Sequence, residues 1–404
     1  MRGSEGATVL DDLPKSIIVE EILVHLSPKY ILHCRVVCWW WHSATSTDKF
    51  MLDNHRSQPL LPILSQFVDA QRHRLLFSFD AGAGKQQLCP VMQTYYNDVL
   101  HAALDGLLIV SHRFMFFIYN LVTRKCAPLA KPETQQGFYP KIVGFYRYQQ
   151  SGGEYRVLWV APDPECYKAH YTNYRTSYYV VAVGSDNTRY IGQGCIPQQT
   201  SSPPSSELVL RGVLGASWEY PPAHHHGSMH WRLEKYYGWD ENYIMVFNTA
   251  AETFRLMCRP ARLSDCLHEW LLEMDGTLAL CSIRGDKHTI DVWVLQDYDA
   301  ETWSFKHRIN LTGVDPSALP KVTMIHRMAA LNEGVLLVQF TCRRVLHFDI
   351  HGKFLGYVKS RDDQEIDSWI TKHYHRGSGI PLPPSHEMRE EDGANHEPPF
   401  FLEL

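Results

Sequence analysis

The chain has 404 residues, of which 45% are hydrophobic, so it can bury a sizeable core and is long enough for two domains, one small and one large. Its formal net charge is −5 and its lysines and arginines are scattered without forming a stripe, which argues against a nucleic-acid partner. The sequence has no apolar run of 18 residues, no apolar core of a signal peptide and no CxxC pair among its ten cysteines, so we expect no membrane partner and reduced thiols in the cytoplasm or the nucleus.

The first predicted element is a helix that begins near Pro14. Proline lacks a backbone N–H and its φ suits a first helical turn, and two aspartates shortly before it are candidate capping groups. Apolar side chains then recur four positions apart at Ile18, Ile22 and Leu26. This spacing gives the predicted helix a broad apolar face.

A second helix is predicted to start at Ser27 and Pro28, with serine as the N-cap and proline in the first helical position. Its apolar positions are Ile31, Cys34, Val37 and Cys38. Three tryptophans at residues 39–41 extend the apolar surface. Two or three helices within about 40 residues bury too little surface to be stable alone, so a partner or the rest of the chain must cover them.

This N-terminal stretch resembles an F-box. The residues that match the family pattern in register are Leu13, Pro14, Glu21, Ile22, Leu23, Leu26, Pro28, Lys29, Cys34, Arg35, Val37, Cys38, Trp41, Asp48 and Phe50. The sequence departs from the pattern at Ser27, where proline is usual, at His33, where arginine is usual, and at Trp39 and Trp40, where a small or basic pair is usual.

The resemblance implies an F-box domain over residues 9–54 that docks on the Skp adaptor of a Skp, cullin and F-box ubiquitin ligase. The adaptor contacts that it implies are Leu13, Pro14, Ile17, Ile22, Leu26, Val37, Cys38 and Trp41. The alternative is an ordinary helical hairpin that packs on the domain that follows it.

Beyond residue 60 the sequence consists of short apolar runs separated by glycine, asparagine and aspartate turns, which is typical of β-structure. Four similar units contain a strand after a glycine turn and then a strand that ends in asparagine or aspartate. They cover residues 104–123, 227–253, 272–295 and 332–352. Strands at 142–145, 155–160 and 178–183 fill the gap between the first two units. The spacing favours a β-propeller over an open sandwich, without fixing the number of blades.

The β-region also resembles the domain that follows the F-box in plant F-box proteins. Residues 118–123 echo its Asn-Pro-x-Thr turn, with Leu121-Val122 departing at the usual proline, and residues 292–295 followed by Trp303 echo its late Trp-Val and Trp pair. The resemblance implies a substrate-receptor domain, here residues 60–374, without identifying the substrate. We expect residues 375–404, which are rich in glycine, proline and acidic side chains, to be a disordered tail.

No catalytic, metal or cofactor site is predicted. His224-His225-His226 follows two prolines and is interpreted as a solvated loop, and Cys34 and Cys38 are interpreted as buried on one helix face. Residues 197–206 are predicted to be a mobile Pro/Ser loop. Candidate recognition aromatics on loops are Trp218, Tyr220, Tyr236, Tyr237 and Trp239.

Two functions from different classes remain open. In the first, the chain is a non-catalytic substrate receptor that holds the adaptor, and through it a cullin, with its helices and an unidentified target protein with its propeller. In the second, the propeller binds a partner by itself and the helices only pack against it. Co-purification with the adaptor separates the two.

Overall fold

The structure is a computed structural model. It describes residues 13–67, 73–80, 87–95, 97–133, 140–148, 153–162, 176–194, 221–232, 243–260, 266–286, 289–311, 325–330, 335–340, 344–359, 368–380 and 382. No helix in this part of the chain is long and apolar enough to cross a membrane.

Short helices make up the N-terminal region, as the sequence predicts. The first, α1, comprises an α-turn at Lys15–Ile17, a π-helical stretch at Ile18–Ile22 and a 3-10 turn at Leu23–His25. The others are α2, Pro28–Cys34, α3, Trp39–Thr45, and α4, Asp48–Ser57. Ser27 occupies the N-cap position of α2 in an extended conformation and Pro28 is the first residue, which confirms the predicted start, but the Ser27 side chain makes no capping hydrogen bond.

The second helix is shorter than predicted, and this changes the place of Cys38. Because α2 ends at Cys34, Val36 and Val37 lie in an exposed turn, and Cys38 becomes the N-cap of α3. The Cys38 Sγ accepts a hydrogen bond from the backbone N–H of Trp41 at 3.4 Å. The interpretation of Cys34 and Cys38 as a buried pair on one helix face is therefore wrong, because Cys38 is exposed.

Six four-stranded antiparallel sheets follow the helices, so the large domain is a six-bladed β-propeller. The strands are β1 Leu61–Phe67, β2 Arg74–Asp80, β3 Gln87–Thr94, β4 Val99–Leu104, β5 Leu107–His112, β6 Met115–Asn120, β7 Lys125–Leu129, β8 Lys141–Tyr148, β9 Glu154–Pro162, β10 Thr176–Ala182, β11 Thr188–Gly194, β12 Ala223–His225, β13 Ser228–Arg232, β14 Tyr243–Asn248, β15 Thr253–Cys258, β16 Cys266–Met274, β17 Thr277–Arg284, β18 Thr289–Asp297, β19 Thr302–Asn310, β20 Ile325–Ala330, β21 Val335–Phe340, β22 Val345–Asp349, β23 Phe354–Tyr357 and β24 Ser368–His375.

The ring is closed by a strand from the far end of the domain. Blade 1 has the order β24-β1-β2-β3, so the C-terminal strand pairs with the first strand after the helices. Blades 2 to 6 are the consecutive meanders β4–β7, β8–β11, β12–β15, β16–β19 and β20–β23. The inner strands of the six blades are therefore β24, β4, β8, β12, β16 and β20.

The predicted repeat units correspond to blades 2, 4, 5 and 6, and the intervening predicted strands form blade 3. The Asn or Asp at the end of the third strand forms the turn through its side chain. The Asn120 Oδ1 accepts from Val122 N at 2.9 Å and Thr123 N at 3.0 Å, and Asn248 and Asp297 accept equivalent pairs of backbone N–H groups. The Asp349 Oδ1 accepts from the N–H groups two and four positions ahead. These Asx turns reverse the chain between the third and fourth strands of four blades.

The core lies between blades. Each of the six interfaces between neighbouring blades contains a separate cluster of buried apolar side chains, and a seventh cluster lies within the helical region. Trp159, Trp231 and Trp270 are among the largest fully buried side chains, one in each of blades 3, 4 and 5. This division fits a propeller, in which each blade packs face to face on the next.

The ordered region extends beyond the predicted boundary at residue 374. That position lies inside β24, and the segment after it packs against the foot of the ring, where the inner strands end. Ser378 is fully buried, and Ile380 belongs to the cluster between blades 2 and 3. Ile380 is buried in this cluster and Leu382 packs against it. These two apolar residues hold the segment in place although its overall composition predicts a disordered tail. Residues 383–404 lie outside the described residues.

Candidate functional site

Apolar side chains remain exposed on the helical region. Ile17 is 41% exposed, Val37 65% and Trp39 81%. Ile22, Tyr30 and Val36 are exposed as well. Single exposed apolar residues are common, but several within 23 consecutive positions of a small helical unit are typical of an interaction surface.

The eight predicted contact residues divide into two groups in the structure. Pro14, Ile17, Ile22, Val37 and Cys38 are exposed. Leu13, Leu26 and Trp41 are half-buried against the small helical core, which is formed by Ile18, Leu23, Val24, Ile31 and Phe50. The exposed members would meet a partner directly, whereas the half-buried members also hold the helices together. Exposed Tyr30 and Val36 are not among the predicted contacts. Trp39 is not among them either, although the sequence predicts that it extends the apolar surface.

Helix α4 fixes the end of α1 by hydrogen bonds from three polar side chains. The Asn54 Nδ2 donates to Val24 O at 2.7 Å and to Leu26 O at 2.8 Å. Ser57 Oγ donates to the same Val24 oxygen at 2.6 Å, and Gln58 Nε2 donates to the Leu26 oxygen at 3.0 Å. These donors satisfy carbonyls that the last turn of α1 leaves without intrahelical partners.

The other side of α4 rests on the propeller. Met51 is buried in the cluster between blades 2 and 3, and Leu52 packs against it. The His55 Nδ1 lies 3.2 Å from the carbonyl oxygen of Gly377, and its Nε2 lies 3.4 Å from the Asp105 carboxylate in the turn after β4. Helix α4 therefore packs against both the other helices and the propeller, and no local pattern in the sequence marks this contact.

Asp105 links the two domains electrostatically. Its carboxylate accepts a hydrogen bond from the Tyr155 hydroxyl of blade 3 at 2.9 Å and faces His55 of α4. Burial by itself raises the pKa of Asp105, but the hydrogen bond and electrostatic interaction with His55, the hydrogen bond from Tyr155 and the positive charge of Arg147 outweigh burial, so the pKa lies below its ordinary value. Asp105 is therefore ionised where α4 contacts the propeller.

The histidine tripeptide is not a solvated loop as predicted. His224 and His225 belong to β12, and His226 is the first residue of the following turn, stacked on Tyr298 with ring centroids 4.6 Å apart. Pairing with β13 draws the segment into blade 4. Among the described residues no group of three or more His, Cys, Asp and Glu side chains is arranged to hold a metal ion.

Two groups of predicted loop features cannot be placed. The recognition aromatics Trp218, Tyr220, Tyr236, Tyr237 and Trp239 lie outside the described residues, as does the Pro/Ser segment 197–206.

Comparisons with known proteins agree with this division of the chain. Residues 10–53 match the F-box domain, and residues 67–376 match the F-box associated beta propeller domain. An F-box protein of Arabidopsis thaliana is 22% identical over 311 residues, which cover 75% of this chain and 69% of the relative. An F-box/kelch-repeat protein of the same plant is 23% identical over 364 residues, covering 81% of this chain and 77% of that protein.

Among solved structures, an oligogalacturonate lyase from Vibrio parahaemolyticus aligns with a TM-score of 0.38 at 8% identity, covering 76% of this chain and 89% of the lyase. A similarity of this size carries no information on function.

Proposed function

Because this chain belongs to the F-box proteins that carry an F-box associated β-propeller domain, we propose that it is the substrate-recognition subunit of a Skp, cullin and F-box ubiquitin ligase. In this role the helices bind the Skp adaptor, and through it a cullin, while the propeller binds a target protein. The chain itself performs no chemistry. It acts in the cytoplasm or the nucleus by raising the concentration of the target near the catalytic subunit.

The observation that carries this proposal is the exposed apolar surface on helices whose opposite side is held by the propeller. Ile17, Ile22, Val37 and Trp39 remain exposed although α4 packs against the propeller between blades 2 and 3. Apolar side chains that the intramolecular contacts leave exposed can become the buried anchors of an interface, where a few residues each contribute about 2 kcal/mol or more.

Adaptor binding is tested by co-expressing the full chain with a Skp adaptor and measuring the complex by size-exclusion chromatography and calorimetry. We expect a one-to-one complex. The double variant Leu13→Ala with Pro14→Ala should bind at least ~30-fold more weakly, since a loss of ~2 kcal/mol corresponds to that factor. Val37→Asp, at an exposed position that is not part of the helical core, should also weaken binding without loosening the helices.

Leu355→Asp is the matched control, because Leu355 is also an exposed apolar residue, 43% accessible, but lies on β23 of the propeller. It should leave adaptor affinity unchanged. If the complex forms equally well with Val37→Asp and with the double variant, the assignment of the contact residues is wrong. If the wild-type chain forms no complex at all, the burial of α4 favours the second function, a propeller that binds its partner without a ligase.

A further inference from the structure

The exposed apolar side chains of α2 and of the turn that follows it share one side of the helical region. Hydrogen bonds from Val36 N to His33 O and from Val37 N to Cys34 O continue the helical turn past the end of α2. Tyr30, His33 and Val37 are three and four positions apart, so their side chains lie along one side of this turn. The exposed apolar residues here, called the α2–α3 patch below, are Tyr30, Val36, Val37 and Trp39.

The stretch of chain that carries the patch has positive side chains and no negative ones. Between Glu21 and Asp48 the sequence contains no aspartate or glutamate. Lys29 is exposed next to Tyr30, and the half-buried Arg35 donates to the backbone oxygen of Thr45 at 2.6 Å. The acidic side chains of the described helices lie on α1 and α4 instead, at Glu20, Glu21, Asp48 and Asp53. An apolar partner with negative charge would therefore complement the patch.

The described part of the chain ends beside the same helices. A Cβ placed on Gly377 would lie 3.2 Å from the Pro28 Cγ, so the segment after β24 passes the first residue of α2. Leu382 then packs against the cluster that contains Met51 of α4. Residues 383–404 therefore continue the chain from a point next to the helical region.

The composition of residues 383–404 matches what the patch lacks. They contain six aspartates and glutamates and one arginine, which gives a formal net charge of −5. Three consecutive large apolar residues, Phe400, Phe401 and Leu402, follow most of the acidic residues. The segment thus combines large apolar anchors with negative charge.

The segment is long enough to reach the patch. Val37 lies within about 20 Å of Pro28, since six residue steps between them are helical and three are not. The five steps from Gly377 to Leu382 add at most about 18 Å. The largest separation that these lengths allow between Leu382 and Val37 is about 45 Å, which is less than the ~60 Å that the 18 steps from Leu382 to Phe400 can span.

From the exposed patch, its positive charge and the origin of the acidic segment, we propose that residues 397–404 bind the α2–α3 patch of the same chain, with Phe400 and Phe401 as the anchors. Tethering gives the segment an effective concentration of about 1 mM, so an intrinsic dissociation constant of only ~0.1 mM would keep the patch about 90% occupied. Because Val37 is also an expected adaptor contact, the segment and the adaptor compete. The competition rests on the function proposed above, whereas the contact between segment and patch does not.

The exposed thiol of Cys38, between Val37 and Trp39, allows the contact to be trapped in the full chain. A second cysteine is introduced by Glu403→Cys, and the disulfides formed under mild oxidation are mapped by mass spectrometry. Cys258 is the reference, because it is also exposed but lies on β15 of the propeller. The yield at each native thiol is divided by its rate with a small disulfide reagent, which removes differences in intrinsic reactivity.

Two matched double variants each add two aspartates to the segment. Phe400→Asp with Phe401→Asp removes the anchors, whereas Met388→Asp with Ala394→Asp places the same charges earlier in the chain. We expect the introduced cysteine to react with Cys38 about tenfold more than with Cys258, to lose this preference in the anchor variant and to keep it in the control. Equal reaction at the two thiols, or a preference that the anchor variant retains, would overturn the proposal. A disulfide that forms only between two copies, seen as a covalent dimer, would also overturn it by assigning the patch to a second chain.

Adaptor affinity, measured on full chains without the introduced cysteine, tests the competition. The anchor variant should bind the Skp adaptor about tenfold more tightly than the wild type, because the patch is no longer occupied, and the control should bind like the wild type. Equal affinities of the anchor variant and the wild type would overturn the competition. If no form binds the adaptor while trapping at Cys38 is selective, the proposed ligase function fails and the contact between segment and patch stands.

Discussion

Replacement of Asn54 tests how the F-box helices are held together. The Asn54 side chain is 2% exposed and donates two hydrogen bonds to the end of α1. In Asn54→Ala both acceptor carbonyls keep a second donor, from Ser57 and Gln58, so neither becomes an unsatisfied buried group. The expected cost is therefore about 1 kcal/mol for each lost bond, ~2 kcal/mol in total. Asn54→Asp has nearly the same shape but places a carboxylate against two carbonyl oxygens, which we expect to cost ~4 kcal/mol or more.

Hydrogen exchange of the amides in residues 15–25, followed by mass spectrometry on the full chain, measures the local opening of α1. Exchange should be ~30-fold faster in Asn54→Ala and ~1,000-fold faster in Asn54→Asp, as the free energies require. Asp53→Asn is the control, because Asp53 is the adjacent residue of α4 and its side chain is 42% exposed. The reasoning is refuted if the aspartate variant opens no more readily than the alanine variant, or if amides of β17 and β18 respond as strongly as those of α1.

Three further predictions concern the propeller. Gly106→Ala should lower the unfolding midpoint far more than Gly276→Ala: both glycines have positive φ, but an added Cβ at residue 106 would lie 2.2 Å from the Ser378 Cβ, whereas nothing lies within 4 Å at residue 276, and equal midpoints would disprove that contact. Gln339→Leu should destabilise the ring by ~2–4 kcal/mol in chemical unfolding, because the 1%-exposed Gln339 amide bonds two backbone groups of the closing strand β24, and an unchanged midpoint would contradict its role in closure. Asp105→Asn should lower stability above the ordinary carboxyl pKa of 3.8, and its difference from the wild type should vanish as pH falls through the lowered pKa of Asp105 in the folded protein; a difference that stays constant during acid titration would refute the carboxylate link.

Local patterns predicted most of the architecture. Turns made by Asn120, Asn248, Asp297 and Asp349 depend on a side chain that bonds backbone two to four positions ahead, so a short stretch of sequence contains the whole signal. The signal for the start of α2 is also local, because it consists of the adjacent residues Ser27 and Pro28.

The features that were not predicted depend on residues far apart in the chain. Blade 1 needs β24 to pair with β1 across the whole domain, and no local pattern marks that partner. The contact between His55 and Asp105 joins a helix to a turn in blade 2, and the hydrogen bonds from Asn54 reach carbonyl groups 28 and 30 positions earlier in the chain. Cys38 was misplaced because the spacing of apolar residues continued past the point where α2 ends.

Closure of the ring by β24 also fixes an order of events during synthesis. The F-box helices leave the ribosome first, but the surface that receives α4 includes Gly377 and Ile380, which are made after every blade. At typical rates of synthesis of about 5–20 residues per second, the helices exist for roughly 15–65 seconds before the surface that receives α4 has been made. A premature stop codon anywhere before residue 368 would remove β24, so blade 1 would lack its inner strand and α4 would permanently lack the surface that receives it.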